Sequence, residues 1–287
     1  MEYPLTDTLR QTWMNELKDK SFVQTALKKL FQSKIYYELN EDGFRLIWVP
    51  VPKCTVARMK QLMERMKQLR KLYQWTHSMT IYLFPTSLKR YFPKRGMLQE
   101  KHINGGYTYL HQNTIYVYRL EECFKVILHE LLHHSKHQVE WKPSEIERLK
   151  SGMSLSPQYT FLPTEAIVEF WATLHHLRFV EKEKHIPFER LYQDELAWSL
   201  SQTQRLLTYQ KEHFPLWNEA TNAMSYIYLK TCFLYFMDDF IRLTKTYSSS
   251  KLTQWLLNHL KDPSFVKAIQ SAKPAPRSLR IMIWSDV

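Results

Sequence analysis

The chain has 287 residues, of which 44% are hydrophobic and 14% aromatic, and its formal net charge is +12. This composition supplies enough apolar surface for a folded core and excludes an intrinsically disordered chain. Three widely spaced cysteines exclude a disulfide scaffold and favour a reducing compartment. The longest purely apolar run, Cys232–Met237, is too short to span a membrane, and the first residues show no secretory signal. We therefore expect a soluble, intracellular, cytoplasmic protein.

The first part of the chain mixes helical and strand patterns. Apolar periodicity predicts helices over 6–18 and 21–31. Alternating residues on both sides of a turn that ends at Gly43 then predict a β-hairpin. Further strands are predicted at three places: 78–84, 105–110 and 113–119.

A basic amphipathic helix is predicted over 55–73. Its apolar stripe runs from Met59 to Tyr73, and six cations surround it: Arg58, Lys60, Arg65, Lys67, Arg70 and Lys71. This pattern favours an ordinary solvated face. A surface that binds nucleic acid or an acidic partner is the alternative.

From residue 121 onward the pattern is mainly helical. Helices are predicted over 121–137, 144–150, 163–180, 187–213, 216–246, 251–260 and 264–271. Residues 151–162 form the clearest loop, and the C-terminal residues are expected to dock as an extended segment. The chain is therefore predicted to be α+β. A mixed N-terminal lobe with a small sheet covers 1–118, and a helical lobe that carries the metal site covers 119–287.

The segment Lys125–Gln138 holds four of the chain's 12 histidines. Within it, His129, Glu130 and His133 form H-E-x-x-H, a zinc-binding pattern of metallopeptidases. Random placement of the chain's histidines and glutamates predicts about 0.03 occurrences of this pattern. The segment therefore favours a metal site.

Helical geometry brings the two histidines of this pattern together. His129 and His133 lie about 40° apart around the axis, one turn above the other. The apolar residues gather on the opposite side: Phe124, Ile127, Leu128 and Leu131. We therefore expect both imidazoles to project from a face turned away from the core. A solvated polar face is the alternative.

The neighbouring histidines are poor candidates for a third ligand. His137 would lie about 12 Å from His129 along the helix axis, too far for bonds of about 2.0–2.1 Å to one ion. His134 points about 100° away from His133. A third ligand must therefore come from another segment.

The best candidate for that segment is the helix predicted over 163–180, which begins with "PTEAIVEF". Glu165 and Glu169 lie one turn apart on one face of this helix. Apolar residues occupy the other face: Ile167, Phe170, Trp171 and Leu174. Two helices of this kind would suit a zinc site between them, whereas exposed glutamates on an ordinary amphipathic helix are the alternative.

With these residues the chain resembles the gluzincin metallopeptidases, which include the thermolysin-like and M1-like zincins. In those families the H-E-x-x-H helix is followed by a second helix with a glutamate ligand. The segment "TEAIVEF" is similar, although Thr164 stands where an asparagine is usual. The metzincin pattern fails, because Lys136 and Val139 stand at its glycine and third histidine. Over about residues 80–180 the chain is also similar to zinc-peptidase-like proteins of large DNA viruses.

The resemblance implies a zincin-like fold with an active-site cleft between the two lobes. It implies one Zn²⁺ bound by His129, His133 and Glu165. It further implies that Glu130 is the general base of peptide-bond hydrolysis, and that Glu169 holds one of the zinc-binding histidines. The strand predicted over 113–119 is expected to be the sheet edge along which a peptide substrate lies.

The resemblance also implies an oxyanion donor from the downstream helical part. Tyr226 is favoured, with Tyr228 and His213 as alternatives, although aromatic residues in such a helix more often belong to the core. Gly105–Tyr107 is either part of the cleft wall or a plain turn.

The leading hypothesis is thus an intracellular zinc metallopeptidase that acts on a peptide or protein, with acidic substrates favoured by the positive net charge. One alternative is a catalytically inactive zincin-fold protein used for binding or assembly. Another is a nucleic-acid-associated protease, which the charge alone suggests. If the source is a virus, association with the virion is a second expected location.

Overall fold

A computed structural model of the chain describes residues 1–135, 139–245, 248–273 and 278–284. Within these residues two compact units are distinguished. The first comprises 1–89 and 104–135, and the second comprises 90–103 and the described residues from 139 to 284. The H-E-x-x-H helix packs on the sheet and falls in the first unit, and the predicted boundary after residue 118 stays a prediction.

The first unit is built on a six-stranded sheet in the order β1-β2-β3-β4-β6-β5. β3, β4 and β6 are mutually parallel neighbours, and the remaining pairs are antiparallel. The strands are β1 (Glu2–Pro4), β2 (Ile35–Glu41), β3 (Phe44–Trp48), β4 (Met79–Thr86), β5 (Gly106–Tyr109) and β6 (Thr114–Arg119). The predicted hairpin is confirmed as β2 and β3, with Asp42 and Gly43 at positive φ in its turn.

One strand prediction is wrong. The strand predicted over 113–119 as the edge for a substrate is β6, which lies between β4 and β5. β5 is the edge strand instead, because the short turn after Tyr109 folds it back against the outer side of β6. An internal strand has both rows of backbone groups paired and has none to offer a peptide.

Helices cover both faces of this sheet. Their bounds are α1 (Asp7–Glu16), α2 (Ser21–Leu30), α3 (Val56–Tyr73) and α5 (Cys123–Leu132). On one face α1 and α2 bury an aromatic-rich core that includes Trp13, Phe31, Phe84, Tyr116 and Tyr118. α3 crosses from β3 to β4, and its N-cap Thr55 accepts a hydrogen bond from the backbone N–H of Arg58.

The second unit is mainly helical. Its helices are α4 (Glu100–Ile103), α6 (Pro143–Gly152), α7 (Thr164–Lys184), α8 (Phe188–His213), α9 (Lys230–Tyr235), α10 (Met237–Thr244), α11 (Ser249–His259) and α12 (Pro263–Ser271). A π-helical turn, Met224–Leu229, runs directly into α9 and packs along α7. We call this segment the π-turn. α7 is buried along most of its length and lies in the core of the unit.

The helix predicted over 216–246 is broken in the structure. Regular structure begins only at the π-turn, and the chain bends again at Phe236 between α9 and α10. The bend at Phe236 accompanies ring contacts of its side chain with Trp255, His259 and Phe265. The predicted helix end at Thr246 lies outside the described residues. Tertiary packing thus overrides a continuous apolar pattern here.

The described part of the C-terminal segment, 278–284, is docked on the second unit, as predicted. Leu279 and Met282 are fully buried. Lys230 Nζ donates to the carbonyl oxygen of Ile281 at 3.0 Å and forms a buried ion pair with Glu195 Oε1 at 3.1 Å. The other carboxylate oxygen of Glu195 accepts the backbone N–H of Ile283 at 2.9 Å. A buried charge pair therefore fixes the tail to two helices of the unit.

The expectation of a chain that mixes helices and a sheet is confirmed, while the zincin-like arrangement stays a prediction. Across the described residues, every helix is too short or too polar to cross a membrane.

Candidate metal centre

α5 carries His129 and Glu130, and every one of its residues is buried. The solvated polar face, which the sequence left as the alternative, is therefore wrong for these two side chains, because they are only 5% and 7% exposed. α5 is enclosed because it lies on the sheet and beneath α3, where Arg58 and Arg65 stack their guanidinium groups on the ring of Phe124. Polar groups buried in this way require partners, so a solvated face does not explain them.

The close seating of α5 depends on a glycine in the edge strand. A Cβ atom at Gly106 would lie 2.8 Å from the backbone oxygen of Tyr116 and 3.0 Å from a side-chain methyl of Val126. Val126 belongs to α5, so the missing side chain lets the helix approach β5 closely. Gly106 is thus part of β5 and lies beneath the histidine helix. From the sequence alone, this glycine belonged either to the wall of a cleft or to a plain turn.

The two histidines of the pattern face each other across one turn. His129 Nε2 and His133 Nε2 are 3.2 Å apart, and their ring centroids are 4.9 Å apart. Two ligand atoms at tetrahedral angles on one zinc ion, each with a bond of about 2.0–2.1 Å, would be about 3.3 Å apart. The nitrogen pair is therefore already spaced as two ligands of a single ion.

A carboxylate completes the group. His129, His133 and Glu165 each offer one ligand atom, and these atoms all lie within 4.8 Å of one another. His129 is buried, whereas His133 and Glu165 are half-buried. Glu165 lies in the first turn of α7, where its backbone N–H donates to the carbonyl oxygen of Leu162 at 3.2 Å. The described residues thus contain a His–His–Glu cluster that could bind a metal ion.

His134, which the sequence analysis rejected as a third ligand, is not part of this cluster. His134 Nε2 lies 2.8 Å from Thr108 Oγ1 on the edge strand. Burial, together with the nearby His77 and His133, lowers the pKa of His134 to about 4, so it is neutral at physiological pH. His137 lies outside the described residues.

Glu169, the predicted support of a histidine ligand, lies one helical turn after Glu165 and is 1% exposed. A carboxylate buried to this degree costs free energy and is retained only with polar partners. Its role beside a metal stays a prediction.

Tyr226, the predicted oxyanion donor, lies on the π-turn and is half-buried. Its hydroxyl accepts from Asn222 Nδ2 at 3.5 Å. The two alternatives are packing residues: the ring of Tyr228 stacks on Phe265, and the ring of His213 stacks on Tyr209. Single π-helical turns often occur at functional sites, and the role of Tyr226 stays a prediction.

The predicted loop 151–162, whose first two residues belong to α6, is tied down rather than free. The backbone N–H of Ser156 donates to the carbonyl oxygen of Trp217 at 2.9 Å, and the N–H of Trp217 donates to Ser154 at 3.2 Å. Ser225 Oγ donates to the carbonyl oxygen of Leu162 at 2.9 Å. Sequence reasoning did not single out Trp217, Ser225 or the Leu162 carbonyl, because no spacing pattern links them. Their connection exists only in the folded unit.

No protein-family model, no curated protein and no solved structure matches this chain. The resemblance to gluzincins stays a prediction, and a function must be proposed from the site itself.

Proposed function

We propose that the protein is a zinc-dependent metallopeptidase that hydrolyses peptide bonds. The observation that carries this proposal is the convergence of one ligand atom each from His129, His133 and Glu165 within 4.8 Å. Two imidazoles of the H-E-x-x-H pattern and one distant carboxylate form the donor set that catalytic zinc sites use, with a coordination position left for water.

The chemistry of the donor set fits zinc better than other common ions. Calcium and magnesium prefer shells of oxygen ligands, whereas two imidazoles with a carboxylate suit a borderline metal such as zinc. The 3.2 Å between His129 Nε2 and His133 Nε2 also agrees with two ligands at tetrahedral angles. Bound zinc would supply Lewis-acid polarisation of a water molecule and of the scissile carbonyl group.

The remaining steps belong to the side chains. Glu130 lies between the two histidines in the sequence and would accept the proton of the attacking water, then deliver it to the leaving amine. Glu130 is only 7% exposed, so it would act in a site largely shielded from bulk water. Glu169 would orient a histidine ligand, and the Tyr226 hydroxyl would donate a hydrogen bond to the developing oxyanion.

The proposal is tested by replacing Glu130 with Gln, which keeps the shape of the side chain and removes the base. We expect the variant to retain stoichiometric zinc while hydrolysis of fluorescently labelled casein falls by about 10³-fold. The exposed Glu140 provides the matched control, and Glu140→Gln should leave both quantities unchanged. Turnover by Glu130→Gln at the wild-type rate would remove Glu130 from the mechanism. A zinc-loaded wild type that cleaves neither casein nor a peptide library would favour the binding or assembly alternative.

A further inference from the structure

A buried carboxylate outside the metal cluster, that of Glu219, accepts four hydrogen bonds. Glu219 is 4% exposed and precedes the π-turn in the chain. Its Oε1 accepts from the hydroxyl of Tyr159 at 2.7 Å, from Nε1 of Trp217 at 3.3 Å and from the backbone N–H of Met224 at 2.8 Å. Its Oε2 accepts from the backbone N–H of Ala223 at 3.0 Å. Both oxygens are therefore used.

Two of these donors are the backbone amides of Ala223, directly before the π-turn, and of Met224, its first residue. The first amides of a helix have no intrahelical partners. Glu219 acts as their cap, and its negative charge is favourable at this end of the helix. Burial raises the pKa of Glu219 to about 7, and the four donors act in the opposite direction. The carboxylate thus occupies a position where burial is costly and where its hydrogen bonds offset that cost.

The other two donors connect the cap to the preceding loop. Tyr159 is 2% exposed and belongs to loop 151–162, while Trp217 exchanges backbone hydrogen bonds with Ser154 and Ser156 of the same loop. A single carboxylate therefore joins the loop to the start of the π-turn.

The same loop ends at a ligand of the candidate metal centre. The carbonyl oxygen of Leu162 accepts two hydrogen bonds, one from Ser225 Oγ on the π-turn at 2.9 Å and one from the backbone N–H of Glu165 at 3.2 Å. The π-turn and the first turn of α7 thus share one acceptor. The Glu219 cap fixes the π-turn one residue before this contact, and Tyr226 follows Ser225 directly.

We propose that Glu219 is a positioning residue, which anchors the π-turn so that the Tyr226 hydroxyl is held at a fixed place relative to Glu165. This inference rests on the proposed function, because Tyr226 is the hydrogen-bond donor of that mechanism. Glu219 itself touches no substrate. It acts through the backbone of the turn that Tyr226 belongs to.

The anchor is tested in the full-length, zinc-loaded protein by replacing Glu219 with Gln, which places an N–H donor against donors that need an acceptor. Hydrogen–deuterium exchange read by mass spectrometry should show the amides of 223–229 exchanging at least ~10-fold faster. The exposed Glu212 supplies the matched control, and Glu212→Gln should leave this exchange unchanged. Unchanged exchange in Glu219→Gln would overturn the anchor.

The link to Tyr226 is tested by kinetics with an internally quenched peptide that the wild type cleaves. We expect Glu219→Gln to lower kcat by about 10–100-fold with little change in KM, since a misplaced oxyanion donor acts in the transition state. Tyr226→Phe should lower kcat at least as much. The double variant should be no slower than Tyr226→Phe alone, because both changes remove the same interaction. Multiplying effects would show that Glu219 does not act through Tyr226.

Two cases are treated separately: a Glu219→Gln variant that does not fold, and a wild type that cleaves no peptide. If Glu219→Gln does not fold, Tyr159→Phe removes one donor from the same carboxylate and should speed exchange of the same amides by about 3-fold. Unaltered exchange in that variant would then count against the anchor. If the zinc-loaded wild type cleaves no peptide, the proposed function fails and the catalytic part of this inference fails with it, while the exchange result still decides whether Glu219 fixes the π-turn.

Discussion

The histidine helix α5 and the basic helix α3 both contain polar side chains that are conspicuous in the sequence, and the fold uses them differently. In α3, Arg65 is buried on the ring of Phe124, and Arg70 donates to the backbone carbonyl oxygens of Thr76 and His77. Lys67 forms ion pairs with Glu41, Asp42 and Glu64. The imidazole nitrogens of His129 in α5 and of its C-cap His133 instead lie close to each other and to the carboxylate of Glu165.

This difference shows when a polar residue indicates a site. The cations of α3 find partners among the aromatic rings, carbonyls and carboxylates around them, so they support the unit itself. Of the six cations, Lys60 and Lys71 are exposed. A nucleic-acid surface on α3 is therefore poorly supported, because several of its charges already have partners. The donors of α5 converge with a ligand from elsewhere in the chain, and convergence of this kind is what metal binding needs.

Removal of a buried cation from α3 is expected to have the largest effect on the free energy of unfolding. Arg65→Ala should lower the free energy of unfolding by about 3 kcal/mol, because it leaves a cavity over Phe124 and removes the cation–π contact with that ring. Lys60→Ala on the exposed side of the same helix should change it by no more than about 0.5 kcal/mol. Urea unfolding of both variants provides the measurement. Equal, small effects would mean that the cations of α3 are a solvated face after all.

The seating of α5 is tested at Gly106. In Gly106→Ala the new Cβ would meet the backbone oxygen of Tyr116 and the side chain of Val126, and we expect a loss of about 2 kcal/mol in unfolding free energy. Zinc affinity should fall as well, because α5 must move away from β5. Tyr109→Phe on the same strand is the control and should leave zinc affinity unchanged. If Gly106→Ala binds zinc as tightly as the wild type, the geometry of the metal cluster does not depend on this contact.

A second histidine doublet, His175 and His176 in α7, sharpens the comparison. His176 Nε2 lies 3.0 Å from the carbonyl oxygen of Trp284, and the ring of His175 lies beside Trp171, so their rings do not converge on one ligand site. Burial lowers the pKa of His175 to about 4. In the unfolded chain the pKa of this histidine is about 6.5. As the pH falls below that value, the unfolded chain binds a proton that the folded chain does not, so the free energy of unfolding decreases as the pH decreases.

His175→Gln should therefore flatten the pH dependence of stability. Between pH 7 and 5 the wild type should lose up to about 2 kcal/mol more unfolding free energy than the variant. The comparison of the two proteins is needed because His134 has the same direction of shift and Glu219 the opposite one. Parallel curves from urea unfolding at several pH values would show that His175 is not held neutral.

Much of the local structure could be predicted from the sequence. Gly43 in the hairpin turn and the Thr55 cap of α3 are local signals, and both elements were predicted correctly. The ligand set could be predicted in part, because His129 and His133 share a helix face, whereas Glu165 needed a second helix and a resemblance.

Other features depend on tertiary contacts that have no local signature. The order of β5 and β6, the break before the π-turn and the burial of α5 on all sides are fixed by packing between elements distant in the chain. Glu219 is a single glutamate in an unremarkable segment, and its four donors come from three separate stretches. Spacing could not have identified it.

Glu165 is proposed to complete a zinc site with His129 and His133, and calorimetric titration of the metal-stripped protein with Zn²⁺ tests this most directly. We predict one high-affinity site in the wild type, a loss of about 100-fold or more in affinity for Glu165→Ala, and unchanged affinity for Glu140→Ala, which alters an exposed glutamate. A wild type that binds no zinc, or a Glu165→Ala variant that binds it as tightly as the wild type, would contradict the account.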